Sequence, residues 1–226
     1  MIRAMEIIGP TKRSARLKRK IYRFGRDEID LDGTLEKIIG KKEYQMEDII
    51  VETREIKKLS CALVVDTSFS MAGEKLAVAA VGAAVLALKL KDDNYSLVTF
   101  DTEARLLKAM DKRKRVDLII GDLLETAAAG HTNMQDGLRI GLNELEKVKT
   151  RDRLGVVITD GECTRGYYPE MVAAKYPRLY VIMVEGPVQN PEFCMKLATL
   201  GKGKMYRVKD FNEVPRILYK LLSEVA

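Results

Sequence analysis

Apolar and polar positions along the chain repeat at two periods, and each change of period marks an element. Leu59 to Val65 is a short run rich in valine and leucine, the mark of a strand buried on both faces. Glu74 to Leu90 is apolar or alanine at most positions and reads as a buried helix. Tyr95 to Phe100 predicts a second strand and Glu103 to Ala109 a third. Only Asp101-Thr102 separates them, so that pair must be antiparallel. Helices are predicted from Arg113 to Leu124 and from Thr132 to Val148, the latter with Met134, Leu138, Leu142 and Leu145 at helical spacing. Leu154 to Thr159, Arg178 to Val184 and Lys204 to Val208 read as strands. Pro191 to Leu200 and Asn212 to Val225 read as helices, the last capped by Asn212. Met71, Met134 and Met195 fall on helical stretches and are assigned to the core. This alternation predicts an α/β fold.

Residues 1–58 follow a different pattern and form an extension ahead of a domain at 59–226. Between Thr11 and Arg26 stand Lys12, Arg13, Arg16, Lys18, Arg19, Lys20, Arg23 and Arg26, with no acid. The net charge of the chain is +6, so outside this block it is slightly acidic. Such a block reads first as a solvated or disordered arm. The sharper alternatives are a phosphate-contacting arm or docking on an acidic partner through Lys12, Arg13, Arg16, Lys18, Arg19 and Lys20. Tyr22 and Phe24 are too few for a base-stacking platform. Asp32-Gly33-Thr34 reads as a turn with a helix cap, followed by a short amphipathic helix through Leu35, Ile38 and Ile39. Asp48 to Lys58, rich in β-branched residues, predicts a strand leading into the one at Leu59, packed on a sheet edge.

The chemistry gathers where strands end. Asp66, Ser68 and Ser70 follow the first buried strand at alternate positions, and loops at the carboxyl ends of strands are where open α/β sheets bind ligands. Oxygen donors without histidine or thiolate suit a hard divalent cation: Mg2+, with Mn2+ or Ca2+ as alternatives. Three donors fall short of the roughly six such an ion takes, so other strand ends must contribute. Gly130-His131-Thr132-Asn133 opens a helix, and Val156 to Thr159 runs into Asp160-Gly161-Glu162.

Asp66-x-Ser68-x-Ser70, then Thr132, then Asp160-Gly161, in this order and at these spacings, resembles the metal-ion-dependent adhesion site of von Willebrand factor A domains. The resemblance covers Leu59 to the C-terminus. It implies a doubly wound, mostly parallel six-stranded sheet with one antiparallel edge strand and helices on both faces. It also implies direct metal ligation by Ser68 and Ser70, and direct or water-mediated ligation by Thr132. Asp66 and Asp160 would supply charge, often through water, leaving one coordination position for an Asp or Glu of a partner protein. Asn133 and Glu162 lie beside this set and would tune it. The lead-in at 48–58 is similar to that of cytoplasmic A domains related to the magnesium chelatase D subunit and to carbon monoxide dehydrogenase accessory proteins. Such domains work beside AAA+ ATPases of the MoxR or chelatase class, which implies an adaptor role in protein remodelling or metal-cofactor assembly.

The rival readings are weaker. A Ser70–His131–Asp160 triad lacks the Gly-x-Ser-x-Gly elbow of a hydrolase. A nucleophilic Asp66 would want a second acid where Ser68 stands, no Walker A pattern occurs, and Cys163 reads as an incidental loop cysteine. A non-enzymatic interaction module is therefore expected, with nucleic-acid binding through the basic arm as the alternative. Charged residues at 32% and hydrophobic ones at 46% suit a soluble protein. Three cysteines without CxxC spacing predict a reducing compartment, and the basic run after Gly9 is unlike a signal peptide, so the cytoplasm is expected.

Overall fold

A computed structural model describes residues 15–22, 28–56, 58–90, 92–126, 128–210 and 212–225. They fall into two compact units, within 12–57 and within 58–225.

The smaller unit is an antiparallel sheet of order β1-β3-β2 carrying one helix. Strand β1 (Ala15–Ile21) pairs along its whole length with β3 (Ile50–Ile56), and β2 (Glu28–Ile29) takes the other edge. Of the reading of a solvated or disordered arm, the disorder is therefore corrected for 15–21, while Arg19 stays exposed. The register sets Arg16 opposite Glu55 and Arg19 opposite Glu52. Lys12 and Arg13 lie outside the described residues. The strand expected at 48–58 on a sheet edge is β3, which is instead the central strand of its three-stranded sheet. Helix α1 (Leu31–Ile38) starts earlier than the predicted turn, because Asp30 accepts the Gly33 N–H at 3.0 Å and caps it.

The larger unit is a six-stranded sheet of order β6-β5-β4-β7-β8-β9. Its strands are β4 (Leu59–Asp66), β5 (Asn94–Phe100), β6 (Ala104–Lys108), β7 (Asp152–Thr159), β8 (Leu179–Val184) and β9 (Met205–Val208). All neighbours are parallel except β5 and β6, whose tight connection reverses the chain. Both edges are short: β9 has four residues, and β6 has five with a register irregularity opposite Leu97 and Val98.

Side chains of β4 alternate between two cores. Leu63 and Val65 meet α2 (Glu74–Lys89), α3 (Val116–Glu125) and α7 (Val214–Val225) on one face. Ala62 and Val64 meet α4 (Met134–Glu146), α5 (Pro169–Ala173) and α6 (Pro191–Leu200) on the other. Burial of β4 from Ser60 onward is what its largely apolar run requires. Helix α4 lies close against the sheet because its inner face is notched. A Cβ on Gly137 would come within 2.7 Å of the Phe100 ring, and one on Gly141 within 2.6 Å of the Tyr176 hydroxyl. That hydroxyl donates to Leu138 O at 2.7 Å and fixes the approach.

Three expectations change. Met71 and Met134 are fully buried, but Met195 is half exposed, on the outer face of α6. The five-residue α5 was invisible to periodicity, being little more than one turn. Helix α7 starts at Val214, two residues past Asn212. Among the described residues no helix is long and apolar enough to cross a membrane.

Candidate functional site

Parallel strands deliver their carboxyl ends to one edge of the sheet, and β4 and β7 are neighbours there. Asp66 ends β4 and Asp160 follows β7; both are fully buried.

Asp66 is held from three directions. Its Oδ1 accepts the Ser68 N–H at 2.9 Å and the Ser68 hydroxyl at 2.6 Å, and its Oδ2 accepts the Thr159 hydroxyl at 2.6 Å. Burial nevertheless pushes its carboxyl up to about 7. The hydrogen bonds from Ser68 and Thr159 pull downward, and the charge of Asp160 adds to the upward push. Ser68 is fully buried, and its hydroxyl lies 3.2 Å from that of the partly exposed Ser70.

Asp160 spends its oxygens differently. Oδ1 accepts the Glu162 N–H at 3.1 Å, while Oδ2 takes an ion pair at 2.7 Å from Lys75 in the first turn of α2. Gly161, at φ +85°, turns the chain where a side chain would strike Asn190 O and Cys194 Sγ, both at 2.6 Å, so only glycine serves.

Thr132 is buried just before α4, its N–H bonded to the Thr164 hydroxyl at 2.9 Å and its carbonyl accepting the Arg165 N–H at 3.1 Å. Neither Ser70 nor Thr132 caps a helix. Gly73 occupies the cap position of α2, and Asn133 caps α4 by accepting the Asp136 N–H at 3.3 Å. Among the described residues the Thr132 hydroxyl makes no hydrogen bond, which leaves it for a ligand. Asn133 thus acts through the helix start, and Glu162 through its N–H on Asp160. Ser70, Lys75, Thr132 and Glu162 line one cavity of about 680 Å³, walled also by Phe69, His131 and Val188.

Motif reading missed two participants. Thr159 stands in an apolar strand and Lys75 in an apolar helix, and no local signal marks either. Cys163 lies beside Thr132, its thiol bonded to Arg165 O at 3.4 Å and raised by burial, which does not suit a nucleophile. No hydrogen bond links His131 to Ser70 or Asp160 among the described residues, and both Asp160 oxygens are engaged elsewhere. The basic positions Arg16, Lys18, Arg19 and Lys20 belong to the smaller unit, where Arg19 pairs with Asp30 at 2.7 Å.

Among the described residues no three His, Cys, Asp or Glu side chains converge. The site can therefore hold an ion only with hydroxyl oxygens beside its two carboxylates. Such a donor set fits a hard divalent cation and no soft one.

Residues 61–162 match the family model of the von Willebrand factor type A domain. An uncharacterized protein of Synechocystis sp. is 32% identical over 176 residues, covering 74% of this chain and 42% of that protein. A von Willebrand factor type A structure from Catenulispora acidiphila superposes at a TM-score of 0.66 with 14% identity, over 78% of this chain and 44% of that one. The manganese-loaded TRAP protein of Plasmodium vivax gives 0.58 and 22%, over 72% of each chain. The chain thus spans less than half the length of the first two relatives.

Proposed function

We propose, from the premise that the chain carries a von Willebrand factor type A domain, that it is a metal-dependent protein-interaction module and not an enzyme. One observation carries this reading. Ser70, from the loop after β4, and Thr132, from the loop that opens α4, line a single cavity; Ser70 lies beside Ser68, which bonds the buried Asp66, and Lys75 of the same cavity bonds the buried Asp160. Ser68, Ser70 and Thr132 would hold a divalent cation, most simply Mg2+, with Asp66 and Asp160 supplying charge. The bound ion would provide an electrophilic anchor for an Asp or Glu of a partner. The protein's own share is orientation. Thr159 and the Ser68 N–H fix the Asp66 carboxylate, and Asn133 fixes the start of α4 and so Thr132.

The partner we infer is an AAA+ ATPase of the MoxR or chelatase class, acting with this domain in the cytoplasm in protein remodelling or metal-cofactor assembly. That inference rests on the resemblance of 48–58 to the lead-in of chelatase-type domains; the site chemistry requires only an acidic side chain.

The test is co-purification of candidate ATPases with the full chain in Mn2+ or Mg2+ and in EDTA, with Ser68→Ala/Ser70→Ala as control. Capture that needs metal and both serines supports the proposal. Equal capture in EDTA would reduce it to an ordinary surface contact.

A further inference from the structure

Lys75 is the least expected residue of this site. It occupies the first turn of α2, where a cation opposes the helix dipole, so helix propensity does not explain it. Its side chain is only 11% exposed, yet it is held at three points. The ammonium donates to Asp160 Oδ2 at 2.7 Å and to the backbone oxygen of Val188 at 2.6 Å. Its methylenes run so close to Gly186 that a Cβ there would lie 2.2 Å from the Lys75 Cε. A buried lysine threaded past a glycine onto a fully buried carboxylate is a built position and not a solvated charge.

Its consequence concerns the cation. Of the two carboxylate charges that Asp66 and Asp160 bring to the site, the Lys75 ammonium cancels one. It also occupies an oxygen that would otherwise face an incoming ion or its water. A tethered ammonium sits at the site at all times, whereas a divalent ion must displace it or tolerate its repulsion.

We propose that Lys75 is an internal counter-cation that competes with divalent metal, holding the empty site folded and setting its metal affinity low. The inference rests on the metal-binding reading above. It goes beyond that reading by assigning a residue outside the motif as the determinant of metal affinity. Retention of metal then depends on the partner's carboxylate adding to a site that is weak alone.

The test is calorimetric titration of the full-length chain with Mn2+, alongside thermal unfolding with and without the ion. Lys75→Met should bind Mn2+ at least about tenfold more tightly than wild type, since one unit charge a few ångströms away is removed. Its metal-free form should melt below wild type, because Asp160 then stays buried without a cation, and Mn2+ should raise its midpoint more than it raises wild type's. Lys75→Arg, which keeps the charge, should bind nearer to wild type than to Lys75→Met. If Lys75→Met does not fold without metal, Gly186→Ala decides the matter. It pushes the lysine end aside with the charge still in the chain, and should also tighten binding. Equal or weaker binding in Lys75→Met, or in Gly186→Ala where that variant decides, would overturn the proposal while leaving the metal site standing. Absence of binding in wild type and variants alike would remove both.

Discussion

Thr159 donates its hydroxyl to Asp66 Oδ2 at 2.6 Å and accepts the Gly161 N–H at 3.0 Å. One side chain thus ties the carboxyl end of β4 to the turn that follows β7, and it does so with every atom buried. Asp66 keeps its orientation because the neighbouring strand holds it.

Thr159→Val keeps the shape and removes both bonds. It leaves a buried carboxylate oxygen and a buried N–H without partners, a loss of about 1–3 kcal/mol. Urea unfolding should show that loss, and Thr159→Ser should recover most of it. Wild-type stability in the valine variant would mean that the strand ends do not depend on this bond.

Thr132 and Asn133 are adjacent but divide their work. Asn133→Ala removes the cap of α4 and should cost about 1 kcal/mol of stability. Thr132→Ala removes no cap and should leave the domain folded while losing Mn2+ binding. Parallel denaturation and titration check the split. A Thr132→Ala variant that unfolds would make this residue structural.

Lys108 gives the fold a pH dependence. Its ammonium is buried over the Tyr95 ring, 3.9 Å from the centroid, and burial lowers its pKa from 10.5 to about 8, against upward pulls from Asp111 and Glu144. Below pH 8 the lysine is charged in both folded and unfolded chains, and the cost of burying it is constant. Between 8 and 10.5 the folded protein gives up the proton first, so the unfolded chain binds more protons and stability rises with pH. The stability of wild type relative to Lys108→Met should therefore grow by roughly 2 kcal/mol between pH 8 and 10.5. Urea melts across that range check it. A flat difference would mean that the ammonium stays hydrated.

Deleting residues 1–20 removes six of the seven residues of β1 and leaves one edge of β3 without its partner. Amides of β3 should then exchange quickly, while those of β4, β7 and β8 stay protected within their own sheet. Hydrogen exchange read by mass spectrometry distinguishes the two. Unchanged protection of β3 would show that β1 contributes nothing to that sheet.

The large sheet was legible because each of its elements declares itself locally. Leu59–Val65 is apolar except for Ser60, and Asp101-Thr102 is too short to do anything but reverse the chain. The five motif residues are readable locally because each lies in a short sequence context at a chain turn: Asp66, Ser68 and Ser70 at the end of β4, Thr132 at the opening of α4, and Asp160 after β7. What escaped were relationships between distant residues. Lys75 and Asp160 are 85 positions apart, and nothing near the lysine announces a buried partner. Residues 15–21 read as a possible disordered arm because their pairing strand is far downstream. Met195 was misplaced for another reason: its helix has sheet on one side only, and spacing alone did not say which side.

The sheet's two short edges bear on self-association. An exposed strand edge is a template on which another chain can add a strand, and long, flat, apolar edges invite fibres. Here one border offers four residues with Arg207 pointing outward, and the other five with Arg105 exposed and the ladder out of step. Neither gives a second copy enough uninterrupted backbone to continue the ladder. The borders of the larger sheet thus offer a second copy little backbone on which to continue that ladder.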